Sequence, residues 1–509
     1  MNADLVLASR SIFNGTDLTP FEGYIAIKDG HIVSIGKGRL PQEECLNVKK
    51  YIDFEDKTIT PGFTDVHCFF TGYAIHYVGA DLSPARTIDE VFSIICSGDK
   101  NQNVILGHGL KEELITSINR QRLNELFESI PVILFSQSCD TCLMNSKATA
   151  VYNFTEKTCY PESYVKLLPE ILSDRNYIIP LFKRYMNMLN RMGVTCIKEM
   201  GFDDFFGFTN ILKELENENA LTLRVHFMSQ PVAKPMSIEY GLKMQDKFKG
   251  EFVHFSGYNQ MTDGSVSELC ADLKEPYLCA DTTCAQKINW KKLKENALKA
   301  DSEGFRFSLH AQGDAAIKKV LDIYENCKRD PNGKLINRHS ITDLEFSDPD
   351  DLERMGQLGV IAEIYPQIQA VANRKDKLKM IEEKIGLKRG TFYWNRRKMI
   401  DSNVTVSCGT DLPLLIDNIP ESIYHAVGGF FPEGGEPYNK DNMLTSGELL
   451  RAWTYGGAYN LGLNDELGLI QEGHKADMVV FNGNIFETPI EHIRDMYVEQ
   501  TYLNGHRVC

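Results

Sequence analysis

The stretch FRFSLHAQGDAAIKKVLDIYENC, residues 305–327, reads as one strand–loop–helix unit. Phe305–His310 alternates apolar and polar side chains and ends on a histidine, Gln312-Gly313-Asp314 forms a polar turn, and Ala315–Cys327 continues as an amphipathic helix. A strand that feeds directly into a helix is the repeating unit of a parallel sheet.

The same texture extends in both directions. Pro131–Phe135, Gly193–Ile197, Leu223–Phe227, Phe252–Phe255, Arg338–Asp343, Gly359–Ile364 and Val404–Cys408 are short apolar runs, most of them followed by a polar loop and a helical pattern. About eight such units between Pro61 and Asn464 favour a closed (β/α)8 TIM barrel with insertions, covering residues 61–464, over an open sheet. The two ends read differently. Leu5–Leu7, Tyr24–Lys28, His31–Ile35 and Lys57–Thr60 are strands, with Asp29-Gly30 as a hairpin turn. Met478–Phe481, the Gly483 turn and Val498–Leu503 before Asn504-Gly505 repeat that pattern. Residues 1–60 and 465–509 are therefore expected to form one small β-sandwich domain in an overall α/β chain.

Of 509 residues, 43% are hydrophobic and 25% charged, ordinary globular proportions with ample core material. The 55 Lys and Arg against 70 Asp and Glu leave a net charge of -15, which gives no bulk attraction to nucleic acid or anionic lipid. Apolar runs such as Ile130–Phe135 fall far short of the roughly 20 residues of a membrane helix. Asp4 and Asp17 interrupt any signal-peptide core, so a soluble, cytoplasmic protein is expected. The 13 cysteines are odd in number and scattered. Cys139/Cys142 and Cys279/Cys284 invite a zinc or redox reading, but no second C-x-x-C completes a structural site, and reduced thiols are favoured.

In such barrels the chemistry sits at the C-terminal strand ends. The polar residues ending or following apolar strands are Asp65 and His67, Asp140, Lys198 and Glu199, Asn259 and Asp263, His310, Asp343, and Asp411. Cys68 is, with Lys198, a candidate for substrate binding; it adjoins His67, but neighbours on a strand face opposite ways, so a Cys–His nucleophilic pair can scarcely form. A buried Lys198 offers a cation for substrate binding, with a rim salt bridge as the plainer reading. Phe69, Phe70, Tyr73 and Tyr77 read as core before pocket, and Arg374–Arg397 as a solvated helical face.

The sequence resembles the amidohydrolase superfamily, family 3, in the group typified by N-substituted formamide deformylase. The resemblance rests on Pro61-Gly62-Phe63-Thr64-Asp65-Val66-His67, Asn145-Ser146-Lys147-Ala148, Gly193-Val194-Thr195, Asp263-Gly264-Ser265 with Glu275-Pro276-Tyr277, His310-Ala311-Gln312-Gly313-Asp314-Ala315-Ala316, Gly409-Thr410-Asp411-Leu412-Pro413 and Gly473-His474-Lys475-Ala476-Asp477. The motifs follow the family's order nearly end to end. They imply a metal-dependent hydrolase barrel that acts on non-peptide C–N bonds.

The metal site implied by the resemblance is incomplete. His67, His310 and Asp411 match family ligands, but Phe69 stands at the second His of H-x-H, Asn259 at the bridging Lys and Asp343 at the strand-6 His, while Asp140 replaces a further family His. Phenyl and amide groups cannot hold a carbamate-bridged pair of ions. One weakly held zinc or other divalent ion on His67, His310 and Asp411, with Asp343 or Cys68 as a fourth group, and an empty site are the two remaining expectations, the empty site slightly favoured. Without metal, crowded carboxylates would separate in pKa and carry acid–base chemistry themselves.

The leading expectation is hydrolysis of an amide-like C–N bond in a small molecule, with Asp411 as general acid and base and His67, His310, Asp343, Asp140 and Asn259 around it. A metal-independent hydratase, isomerase or lyase, or a non-catalytic ligand-binding descendant, are the alternatives. Gain of polar groups at Asp140, Asn259 and Asp343 favours a reworked site over an abandoned one. Both a single chain and a homo-oligomer fit the sequence.

Overall fold

A computed structural model describes every residue except 1, 42–47, 98–102, 138–140, 154–165, 202, 204–206, 232–233 and 415–417. Eight parallel strands form one sheet in chain order: β1 (Phe63–Cys68), β2 (Val194–Met200), β3 (Arg224–Ser229), β4 (Val253–Met261), β5 (Phe307–Ala311), β6 (Ser340–Asp343), β7 (Ile361–Ile364) and β8 (Val406–Cys408). The barrel closes just beyond β8, where the Asp411 N–H donates to the His67 carbonyl at 2.8 Å and Cys68 bridges Leu412 in parallel. That seam sets His67 and Asp411 side by side.

The connections obey local rules. Between β6 and β7, Asp348 caps helix Pro349–Leu358 by accepting from the Asp350 N–H, Pro349 opens it, and Gly359 ends it at φ 71°. Strand pairing starts about two residues later than the apolar runs suggest: the Phe305–His310 run becomes β5 at Phe307. No helix among the described residues is long and apolar enough to cross a membrane.

The two ends of the chain share one eight-stranded mixed sheet, the form taken by the expected terminal β-sandwich. Thr58–Pro61 runs parallel to the end of Ala3–Ile12 and antiparallel to Met478–Phe481, with Met478 opposite Pro61. One face buries Leu5, Leu7, Ile25, Ile27, Met478 and Val480 together. The Phe21–Lys28/His31–Lys37 hairpin turns through Asp29 and Gly30, both at positive φ (50° and 79°), which is why Asp-Gly is found there. Arg224 at the start of β3 is buried and ion-paired to Asp477, whose carboxylate also accepts the Asn504 N–H, so the Ala476-Asp477 motif fastens the terminal sheet to a barrel strand.

The chain divides into two compact units, residues 1–68 with 186–201 and 213–509, and residues 69–185 with 202–212. Barrel and terminal sheet both belong to the first. The second holds a four-stranded sheet of Ala80–Asp81, Ile105–Leu110, Val132–Ser136 and Cys142–Met144 over a core of Leu82, Phe92, Leu123 and Leu134. The run at Pro131–Phe135 is thus no barrel strand. Its partners are Ile105–Leu110 and Cys142–Met144, and apolar content alone cannot tell the two sheets apart. Asn145 is an N-cap here: it accepts from the Ala148 N–H and donates to the Phe127 and Ile130 carbonyls.

Candidate active site

Asp65 clamps the barrel seam. Its buried carboxylate accepts from the Thr410 hydroxyl (2.6 Å), the Thr410 N–H (3.1 Å) and the His67 N–H (3.1 Å). Burial pushes this carboxyl up to about 6, against the pull of those hydrogen bonds. Gly409 is required beside it, because a Cβ there would lie 2.7 Å from the His67 Cβ.

His67 is buried with its two ring nitrogens facing different carboxylates. Nδ1 lies 3.8 Å from Glu363 Oε2 and Nε2 lies 3.6 Å from Asp411 Oδ1, and the ring packs edge-on to Tyr365. Burial lowers its pKa, only partly offset by Glu363, so the imidazole is neutral at pH 7. Asp411 moves the opposite way. Burial first, then the nearby Asp343 and Asp65 charges, push its carboxyl up to about 8, while His310 opposes them. A quarter of the side chain remains open to solvent. A neutral base and a protonated acid thus face each other.

His310, the last residue but one of β5, donates from Nε2 to Asp343 Oδ2 at 3.0 Å, with Nδ1 4.0 Å from Asp263 Oδ1. Burial opposes its protonation, but Asp343, Asp263 and Asp411 outweigh that and raise its pKa. Asp343 also accepts from Gln312 Nε2 at 2.5 Å. Both Asp343 (φ 82°) and Asp411 (φ 52°) hold left-handed backbone, a strain that aims two carboxylates at the mouth. Asp263 has a supporting role: its oxygens accept from the Gln312, Asp272 and Gly313 N–H groups and fix the loop after β5.

The other candidates lie elsewhere or act differently. Asn259 is buried on β4, donates to Gln230 at 2.9 Å, and leaves Oδ1 without a hydrogen-bond partner. Asp140 and Cys139 lie outside the described residues. Cys68 turns its thiol away from His67, 3.6 Å from Glu199 Oε2 and 3.7 Å from the Lys198 carbonyl. Lys198 is neither a rim residue nor open to a substrate. It is enclosed inside the barrel against Glu363, with Asn460 Oδ1 at 3.3 Å, because the β2 register turns it to the axis. Burial pulls its ammonium down to about 8. Glu363 also accepts from Thr342 (2.8 Å) and Asn460 (2.9 Å), and although burial works against its charge, Lys198 and His67 hold it well below the usual carboxylate range.

Glu363 and Asn460 were not among the sequence candidates, nor was Arg396. The Arg374–Arg397 stretch is solvated over helix Arg374–Lys384, but Trp394 and Arg396 turn inward, 4% and 2% exposed. Arg396 Nη1 and Trp394 Nε1 are buried without acceptors, and both side chains line a cavity of about 10 Å³ with Asp343 and Tyr365, room for one water-sized group.

The donor set fits a metal poorly. Phe69 and Asn259 offer no strong ligand. Asp343 stands where the family has a His, and it engages His310 Nε2 at 3.0 Å, so that nitrogen is already committed. Among the described residues, the one group of three potential ligands within 4.8 Å is Asp301, Cys327 and His339. It is committed to hydrogen bonds. His339 Nδ1 accepts the Phe307 N–H, so Nε2 carries the proton it gives to Asp301, whose oxygens also accept from Asn337 and the Lys328 N–H. Burial pushes the Cys327 thiol up to about 12.

Three relatives frame this geometry. Protein LONG AFTER FAR-RED 3 of Arabidopsis thaliana is 22% identical over 99% of this chain and 91% of its own length. N-substituted formamide deformylase of Arthrobacter pascens is 22% identical over 94% of each. The crystal structure of an uncharacterized metal-dependent hydrolase from Pyrococcus horikoshii superposes with a TM-score of 0.76 at 21% identity, covering 96% of this chain and 99% of that one. Residues 50–509 match the amidohydrolase family over its whole barrel and final strands, and the chain belongs to that family.

Proposed function

We propose that this chain hydrolyses an amide-like C–N bond in a small molecule by acid–base catalysis between His67 and Asp411. The observation that carries the reading is their juxtaposition at 3.6 Å with opposite displacements of pKa, His67 down and Asp411 up. Neutral His67 takes a proton from water as the oxygen attacks the carbonyl carbon. Protonated Asp411 gives its proton to the leaving nitrogen as the C–N bond breaks. Transfer from His67 to Asp411 restores both groups. His310, whose pKa Asp343 raises, lies beside Asp343 to stabilise the developing oxyanion, and Glu363 orients His67 from behind.

The Arthrobacter relative, a formamide deformylase by name, supports an N-substituted formamide or similar small amide as the substrate class. The unpaired donors of Arg396 and Trp394 support an acceptor oxygen on that substrate, next to Asp343. We place the protein in the cytoplasm, in keeping with ten free cysteines among the described residues. The test is a panel of N-formyl and N-acetyl amines in isotope-labelled water. Amine release with one labelled oxygen in the acid product is expected. No release from any member, or release without label, would overturn hydrolysis.

A further inference from the structure

The opposite, N-terminal end of the barrel holds a second chamber. Its volume is about 420 Å³, within the range of small-molecule sites. His226 at β3, His254 and Ser256 at β4, Arg306 just before β5, and Asn337 and Arg338 just before β6 line it, and no carboxylate does. This end of a barrel ordinarily serves stability alone.

Two guanidinium groups share the chamber, neither within ion-pair distance of a carboxylate among the described residues. Arg306 donates from Nη1 to Ser256 Oγ at 2.6 Å, and its buried Nε has no acceptor among the described residues. Arg338 is seated over the Tyr459 ring at 4.3 Å, with Nη1 on the Tyr459 carbonyl and Asn464. His226, 5% exposed, also leaves Nε2 unpartnered, its ring stacked on His254 at 4.8 Å. The acids nearby are committed: Glu363 to Lys198 inside the barrel, and Glu251 and Glu466 to Lys475. Burial lowers the Arg306 pKa to about 10, which leaves it charged at pH 7. Glu363 offsets part of the Arg306 charge, Arg338 adds to it, and a cation pair this close gains from a further anion.

We infer that this chamber binds a small oxyanion group, a phosphate or a carboxylate, between Arg306 and Arg338 with Ser256 and His226 as neutral partners. Guanidinium pairs match the geometry of both anions. The site is separate from the His67–Asp411 mouth and stands whether or not the proposed hydrolysis does. Its selection for an anion runs against the net charge of -15, so it is a local field rather than a bulk one.

Thermal unfolding of the full chain at constant ionic strength decides the matter, with inorganic phosphate and acetate each replacing chloride. A rise in Tm of roughly 2–5 °C at saturation is expected with at least one of them, and which one identifies the group. R306Q should abolish the rise. S256D, which supplies a carboxylate to Arg306 directly, should raise Tm without added anion and abolish the response. No rise with either anion, or the same rise in S256D as in the unaltered chain, would overturn the assignment.

Discussion

Lys198 and Glu363 meet inside the barrel, from β2 and β7, with no side-chain surface of either exposed. Neither is adjacent to the other in the sheet, so the pair forms only when the barrel closes. Removing one partner strands the other's charge, at a cost of about 3–5 kcal/mol. K198M and E363Q should each lower unfolding stability by that order in urea titrations. The double variant K198M/E363L should recover most of the loss. Equal losses in all three would mean that the pair contributes packing and not charge balance.

Asp411→Asn should reduce turnover by about 10²–10⁴-fold while leaving the fold intact, since the backbone seam to His67 does not use the carboxylate. Its effect on stability has a definite sign. A carboxyl whose folded pKa rises from 3.8 to about 8 stabilises the protein below the unfolded value, and that contribution is lost as pH climbs through about 8. The Tm of D411N minus that of the unaltered chain should therefore increase between about pH 4 and pH 8, moderated by the quarter of Asp411 left open to water. A difference that is flat across this window would rule out the raised pKa.

The pH dependence of kcat/KM should be bell-shaped. The acid limb lies below the usual histidine value of 6.5, where His67 becomes protonated, and the alkaline limb lies near 8, where Asp411 ionises. E363Q should move the acid limb further down, since Glu363 favours the His67 cation. A profile still rising above pH 9 would exclude Asp411 as the acid.

Chelator dialysis should leave turnover unchanged within about twofold, because losing a true ligand ion costs far more. Conversely, restoring the family's residues with F69H, N259K and D343H together should raise tightly bound zinc measured by elemental analysis. Two equivalents of zinc in the unaltered protein after dialysis would refute the acid–base scheme.

Much of this site was legible where chemistry falls at strand ends. His67, His310, Asp343 and Asp411 fall at the ends of short apolar runs, and the length of the β6 strand separates Asp343, which faces His310, from His339, which precedes the strand and bonds Asp301. Glu363 escaped because it sits within an apolar run, one residue before Ile364, rather than after it. A charge in that place declares itself only through a partner, and Lys198 lies 165 positions away in sequence. Arg396 was hidden by composition: a cation-rich stretch reads as solvated until tertiary packing turns one residue inward. The four-stranded sheet at Val132–Ser136 was indistinguishable from barrel strands by hydrophobicity alone.

The terminal sheet imposes an order on synthesis. Thr58–Pro61 leaves the ribosome with one edge paired to Ser11-Ile12 and the other awaiting Met478–Phe481. At about 5–20 residues per second, the intervening chain takes roughly 20–80 s to emerge. Through that interval the nascent protein presents a strand edge with unanswered backbone donors and acceptors, the kind of template that captures a neighbouring chain. Polysomes crowd such edges together, so the yield of native protein should depend on translation speed and on holding factors at the ribosome exit, even though the finished sheet leaves that edge fully covered.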